Sequence, residues 1–293
     1  FFFVSLCALI VLFSLLREDN MRISANQQQS GQLLQESIET ALNTYELEVS
    51  GLAAFFHASQ FVSDLEFDTF SQTLINHQKT PIYNSFYAQS VLKELKSDFV
   101  SNQVNRPSGV FRILPEGQRN EYLPITYAFP DKRFLGFDTL VKDVFYLYSD
   151  TQNWNNRQTS LLKPSASNPN VTIKQYKAPG FYVLSKNVYQ DVGDRSNDKR
   201  NWLGVVAVSF DMASMLKVIS PKFDHDLLFR LSDVTHLKEP IEYFYYSHAS
   251  DLPQWEQREF NQIEIVYGGR IWLLESAYVN SPLALYDWGT ILL

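Results

Sequence analysis

Cysteine is almost absent from this 293-residue chain: the one copy, Cys7, sits in an apolar run at the start, so the polar remainder can form no internal disulfide. That suits a bacterial periplasm and is equally compatible with a cytosolic fold. Clusters of Lys and Arg are also missing. With 25 Lys and Arg against 32 Asp and Glu, and a formal net charge of −7, the chain offers no surface for phosphate backbones. This argues against nucleic acid and leaves a small ligand or a protein as partner. The sequence contains no GxSxG elbow, no HExxH, no CxxC pair and no phosphate-binding or dinucleotide glycine loop. Its five histidines, His57, His77, His225, His236 and His248, are scattered, and only Asp224-His225-Asp226 forms a local cluster. Three consecutive residues cannot all face one ion from a regular strand or helix, so neither a metal nor a cofactor is expected. No catalytic residue emerges, and the chain reads as something other than an enzyme. A hydrolase whose site is assembled from sequence-distant groups is the rival reading.

What is present is apolar and aromatic. Hydrophobic residues make up 45% of the chain and aromatic ones 15%, enough for one large core or two small ones. The run Phe1 to Leu16 carries no charge. At about 1.5 Å per residue it covers about 24 Å of a hydrocarbon layer roughly 30 Å thick. It is expected to be a truncated transmembrane helix (1–16), left at Arg17-Glu18-Asp19; the alternative is a signal-peptide core. At the other end, Tyr286 and Trp288 precede a new apolar run, as an aromatic belt precedes a second span (283–293). Two such spans would place the body on one side of a membrane.

Between these ends the periodicity changes twice. Leu34, Ile38, Ala41, Tyr45, Val49, Leu52 and Phe56 recur at steps of three and four, which predicts a long helix over 17–60. Its stripe either packs on its own domain or forms the seam of a parallel homodimer. From about Pro81 onward, segments rich in Phe, Tyr, Val and Ile and bounded by Pro, Gly and Asn predict strands at SFYAQSVL, GVFRILP, EYLPITYAF and PGFYVLSKNVY. Short helices fit between them, including Thr139–Ser149 capped by Asp138, and Ser165–Gln175 reads as a loop. A third stretch gives the strand WLGVVAVSF, a helix MASMLKVI capped by Asp211, and four more strands, with Gly268-Gly269 as a hairpin turn. The pattern is α+β, a long helix followed by antiparallel regions at 61–200 and 201–282.

Several segments, in order, resemble the CHASE family of extracytoplasmic sensor domains. They are Leu52, Phe55-Phe56, Ser59, Val62 and Phe67; Tyr122-Leu123-Pro124-Ile125-Thr126-Tyr127 with Pro130; Leu135-Gly136-Phe137-Asp138; Gly180-Phe181 with Val183 to Tyr189; and Leu203-Gly204-Val205-Val206 leading to Phe210-Asp211. The resemblance implies two tandem PAS-like lobes on the long helix, the first membrane-distal and the second membrane-proximal. It also implies a small-molecule ligand in the distal lobe and an output module in the cytoplasm, a histidine kinase or diguanylate cyclase. The body would lie in the periplasm, anchored in the bacterial inner membrane. A membrane-anchored scaffold that binds a protein partner is a further alternative.

The family uses the late strand of the distal lobe as the floor of its ligand site, which implicates Phe181, Val183 and Ser185 here. Strand alternation puts these three with Asn187 on one face, and Tyr182, Leu184, Lys186 and Val188 on the other. Ser185 is in the place of a threonine hydroxyl and keeps one donor and acceptor for a ligand. Tyr127 is also implicated. In cytokinin receptors an aspartate on the helix after Asp138 holds the adenine, and Asp143 or Phe145 falls near that place. This chain departs from the pattern there, with a shorter helix and with Lys186-Asn187 in place of a proline, so cytokinin itself is not implied.

Overall fold

The computed structural model describes residues 2–59, 61–77, 81–103, 111–141, 172–175, 181–189, 202–223, 227–235, 243–246 and 260–278. Helix α1 runs from Phe2 to Ala58 and contains no proline to break it. Helix α2 (Asp64–His77) follows, opened by a reciprocal cap: the Ser63 backbone N–H donates to Glu66 Oε2 at 2.8 Å, and the Glu66 N–H donates to Ser63 Oγ at 3.2 Å. Then come β1 (Ile82–Gln89), β2 (Val91–Leu92), α3 (Lys96–Gln103), β3 (Glu121–Tyr122), β4 (Ile125–Phe129), β5 (Thr172–Gln175), β6 (Phe181–Tyr189) and β7 (Trp202–Asp211). Helix α4 (Met212–Ile219) follows, capped as expected by Asp211, whose Oδ2 accepts from the Ser214 N–H at 2.9 Å. The chain continues through β8 (Leu227–Asp233), β9 (Tyr243–Tyr246), β10 (Asn261–Tyr267) and β11 (Arg270–Tyr278).

Two compact units result. One comprises Thr40–Val218 with Val266–Arg270, the other Phe1–Glu39, Ile219–Ile265 and Ile271–Leu293. The larger is built on a five-stranded sheet, β4-β1-β7-β6-β5, in which every pairing is antiparallel. Counted by appearance in the sheet, its strands stand in the order 2-1-5-4-3. One face lies under the helices: Tyr45 stacks on Phe210 with centroids 4.4 Å apart, Phe56 on Tyr87 at 3.9 Å, and Phe67 of α2 meets Tyr127 at 5.2 Å. The smaller unit holds the sheet β10-β11-β8-β9. Within it Gln27 of α1 donates to the Ser276 carbonyl at 2.9 Å, and Arg230 forms an ion pair with Glu275. The β10–β11 turn is Gly268-Gly269, with φ of 58° and 82°, the left-handed geometry that such a turn needs at both positions.

Several expectations change at this level. The Leu34-to-Phe56 stripe is buried by the chain itself: Leu34, Ile38, Tyr45, Val49 and Leu52 are wholly inaccessible. It is therefore an internal packing face, because the chain's own aromatic rings occupy it and leave no seam for a second helix. A division at residue 200 would separate β7 from its sheet, yet β7 pairs with both β1 and β6 and falls in the larger unit. The predicted loop over Ser165–Gln175 ends in a strand, since Thr172–Gln175 pairs with β6. The described part of GVFRILP, 111–115, forms a single bridge, Leu114 to Phe137; Thr139 and Leu140 form a turn directly after Asp138, and 142–149 of the predicted helix lie outside the described residues. Among the described residues no helix is long and apolar enough to cross a membrane. The second expected span, 283–293, and the Asp224-His225-Asp226 cluster lie outside the described residues.

Candidate functional site

The face of the five-stranded sheet turned away from α1 is the candidate site. Register carries one row across it: Ala128 opposite Phe86, Phe86 opposite Ala207, and Ala207 opposite Ser185. A neighbouring row sets Ile125, Ala88, Val205 and Asn187 side by side. Ala88, Ala128 and Ala207 are short side chains grouped around Phe86, so the floor is apolar and shallow. The half-buried Ser185 supplies a hydroxyl in that row. At one rim Trp202 Nε1 donates to Asn187 Oδ1 at 3.2 Å.

One wall stands on this floor. Phe134, Leu135, Phe137 and Leu140 pack against the alanine-rich cluster. Backbone bonds stitch the wall to its surroundings: Gly136 N–H to the Ile125 carbonyl, Ile125 N–H to that of Phe137, and Leu114 N–H to that of Gly136, each 2.8 Å. Gly136 has φ of 86°, and a Cβ there would come within 2.0 Å of the Arg112 carbonyl oxygen, so only glycine permits this approach. Asp138, wholly buried, closes the arrangement. Its Oδ1 accepts from the backbone N–H of Leu123 at 2.9 Å and of Leu140 at 3.1 Å, while Oδ2 accepts from Arg119 Nε at 3.0 Å. A buried carboxylate is tolerated because its lone pairs meet three donors, one of them cationic. At the start of the wall, hydrogen bonds from the Arg133 side chain hold the Asp131 carboxyl below the usual carboxylate range.

The residues predicted for the site divide. Val183 and Ser185 share the floor face, and Phe181 starts the same strand, paired with Asp211. Tyr127 does not join them. Its register partner is Tyr87, which in turn faces Val206 and places it on the α1 side, where its hydroxyl donates to the Val62 carbonyl. On that side burial, and next the neighbouring Tyr127, pushes the Tyr87 hydroxyl well above its ordinary pKa. Lys186 also lies on the α1 side and donates to Ser50 Oγ at 3.0 Å, so that face is covered by helix. Asp143 and Phe145 lie outside the described residues. The sequence reading missed Phe86, Ala128, Ala207 and the Phe134-to-Leu140 wall. The signal that could have found them is the placement of alanines at inward positions of strands otherwise rich in Phe, Tyr and Val.

The model of the CHASE domain matches residues 60–244, which takes in the floor strands, the wall and the start of the second sheet. The chain belongs to the CHASE family. It is an extracytoplasmic sensory domain, with a mixed helix and antiparallel-sheet fold on a long N-terminal helix. Among solved structures, an extracellular ligand binding receptor from Desulfohalobium retbaense DSM5692 aligns at a TM-score of 0.47 and 10% identity, over 86% of this chain. The CHASE chain spans 40% of that receptor's length. No curated protein matches it.

Proposed function

We propose that this CHASE domain binds a small molecule on the floor of Ser185, Ala207, Phe86 and Ala128, in a PAS-like, membrane-distal lobe of a receptor that spans the bacterial inner membrane twice. The observation that carries the reading is an alanine-lined row with a hydroxyl in it, bounded by a stitched wall. Ligand sites have this form, mostly apolar with a few placed polar groups. The 2-1-5-4-3 antiparallel order supports a PAS-like lobe. Binding would shift the balance between two arrangements of the sheet. Within the larger unit Arg270, the first residue of β11, lies 5.5 Å from the Tyr182 ring near the start of β6. A cytoplasmic histidine kinase or diguanylate cyclase would read that shift, and any catalysis would belong there. A parallel homodimer would use the outer face of α1, where Leu33 is 48% and Leu47 72% exposed.

The test is Ser185→Leu. Extra methylenes in a packed site cost about 1–3 kcal/mol, so the variant should fold while its floor is filled. Screening small molecules for thermal stabilisation of the parent, and then of the variant, should show the response lost. Gln72→Leu, at an exposed position of α2, should keep it. A folded Ser185→Leu protein with undiminished stabilisation would place the site elsewhere.

A further inference from the structure

A second cavity lies away from this floor, between the first turns of α3 and the segment Arg112–Gln118. It is an open groove of about 370 Å³ lined by Lys96, Val100, Arg112, Ile113, Glu116, Gly117 and Gln118, with room for a small molecule. Its base is apolar, because Ile113 belongs to a small core with Val91, Phe111 and Tyr122, and Val100 packs against that core. Its rim is cationic, and one of the cations is held in place. Lys96 Nζ lies 4.5 Å from the centroid of the Tyr122 ring and donates to the Gly117 carbonyl at 3.3 Å. Tyr122 is fixed in turn, since its hydroxyl donates to the Gly117 carbonyl at 2.9 Å and accepts from the Arg119 N–H at 3.0 Å. Arg119 packs on the same ring at 4.8 Å, but its charge is committed to Asp138.

Lys96 and Arg112 have no such commitment. Among the described residues neither forms an ion pair with a carboxylate, although the whole chain carries a formal net charge of −7. Glu116 is the only acid among the described lining residues. Two cations and one carboxylate leave the rim with one positive charge in excess. A single anionic charge compensates it, while a second would meet Glu116. The apolar base suits a short hydrocarbon part rather than an inorganic ion.

We propose that this groove is a binding site for a small organic monocarboxylate, its carboxylate between Lys96 and Arg112 and its alkyl part on Val100 and Ile113. The site is separate from the Ser185 floor and does not depend on it. The test is calorimetric titration of the full chain in detergent with butyrate, and with phosphate at matched ionic strength. Butyrate should bind saturably and more tightly than phosphate. Lys96→Gln and Arg112→Gln should each weaken it at least fivefold, Arg112→Lys should retain most of the affinity, and Ser185→Leu should leave it unchanged. Arg112 is exposed, so Arg112→Gln carries the test if Lys96→Gln fails to fold. Butyrate binding that is absent, weaker than that of phosphate, or undiminished in Arg112→Gln would overturn the proposal.

Discussion

Replacing Asp138 should separate two contributions to the wall of the candidate site. Asp138→Asn keeps an oxygen for the Leu123 and Leu140 N–H groups but loses the ion pair with Arg119 and turns an amide toward the guanidinium. Removing one partner of a buried pair costs about 3–5 kcal/mol. Arg119 is 25% exposed and also donates to the Pro115 carbonyl, so water and that bond compensate part of the loss. About 2 kcal/mol is expected for the asparagine variant. Asp138→Ala also strips the acceptor from two backbone N–H groups, each costing about 1–3 kcal/mol when left unsatisfied, which brings the total to about 4–8 kcal/mol. Urea denaturation at neutral pH, with unchanged m-values confirming a common unfolded state, would read both. If the alanine variant proves no less stable than the asparagine variant, the two N–H groups do not depend on this carboxylate and the account of the wall is wrong.

Three further outcomes follow from the same structure. Gly136→Ala should cost at least about 1–3 kcal/mol from backbone strain alone and loosen the wall against Arg112, measured as a fall in Tm together with weakened ligand stabilisation. Ser63→Ala should destabilise α2 by about 1 kcal/mol at neutral pH. The Ser63 backbone N–H, and then its hydroxyl, lower the pKa of Glu66, so this contribution is full above the ordinary carboxylate range and is lost as pH falls through the depressed value; Glu66→Gln and the parent should converge in stability there. In membranes, cysteines placed singly at Leu33 and Leu47 should crosslink between copies, whereas one at Tyr45 should not; crosslinking at Tyr45 would restore the stripe as a seam.

The sequence by itself determined the local elements. The steps of three and four in α1, the alternating runs of β6 and β7, the Asp211 cap and the Gly268-Gly269 turn are short-range, and each is set by side chains a few residues apart. The ordered CHASE segments were equally legible, because they depend on spacing along the chain. Only the tertiary structure decided which face of each element is spoken for. Tyr127 and Ser185 both lie in aromatic strands, and register alone puts Tyr127 under Phe56 and Ser185 beside Ala207. The stripe on α1 reads the same whether a second helix or the chain's own sheet covers it, and Phe210 and Tyr87 occupy it. Pairing β7 between β1 and β6 joins segments far apart in sequence, so neither the extent of the larger unit nor the alanine floor at its centre was visible in any local pattern.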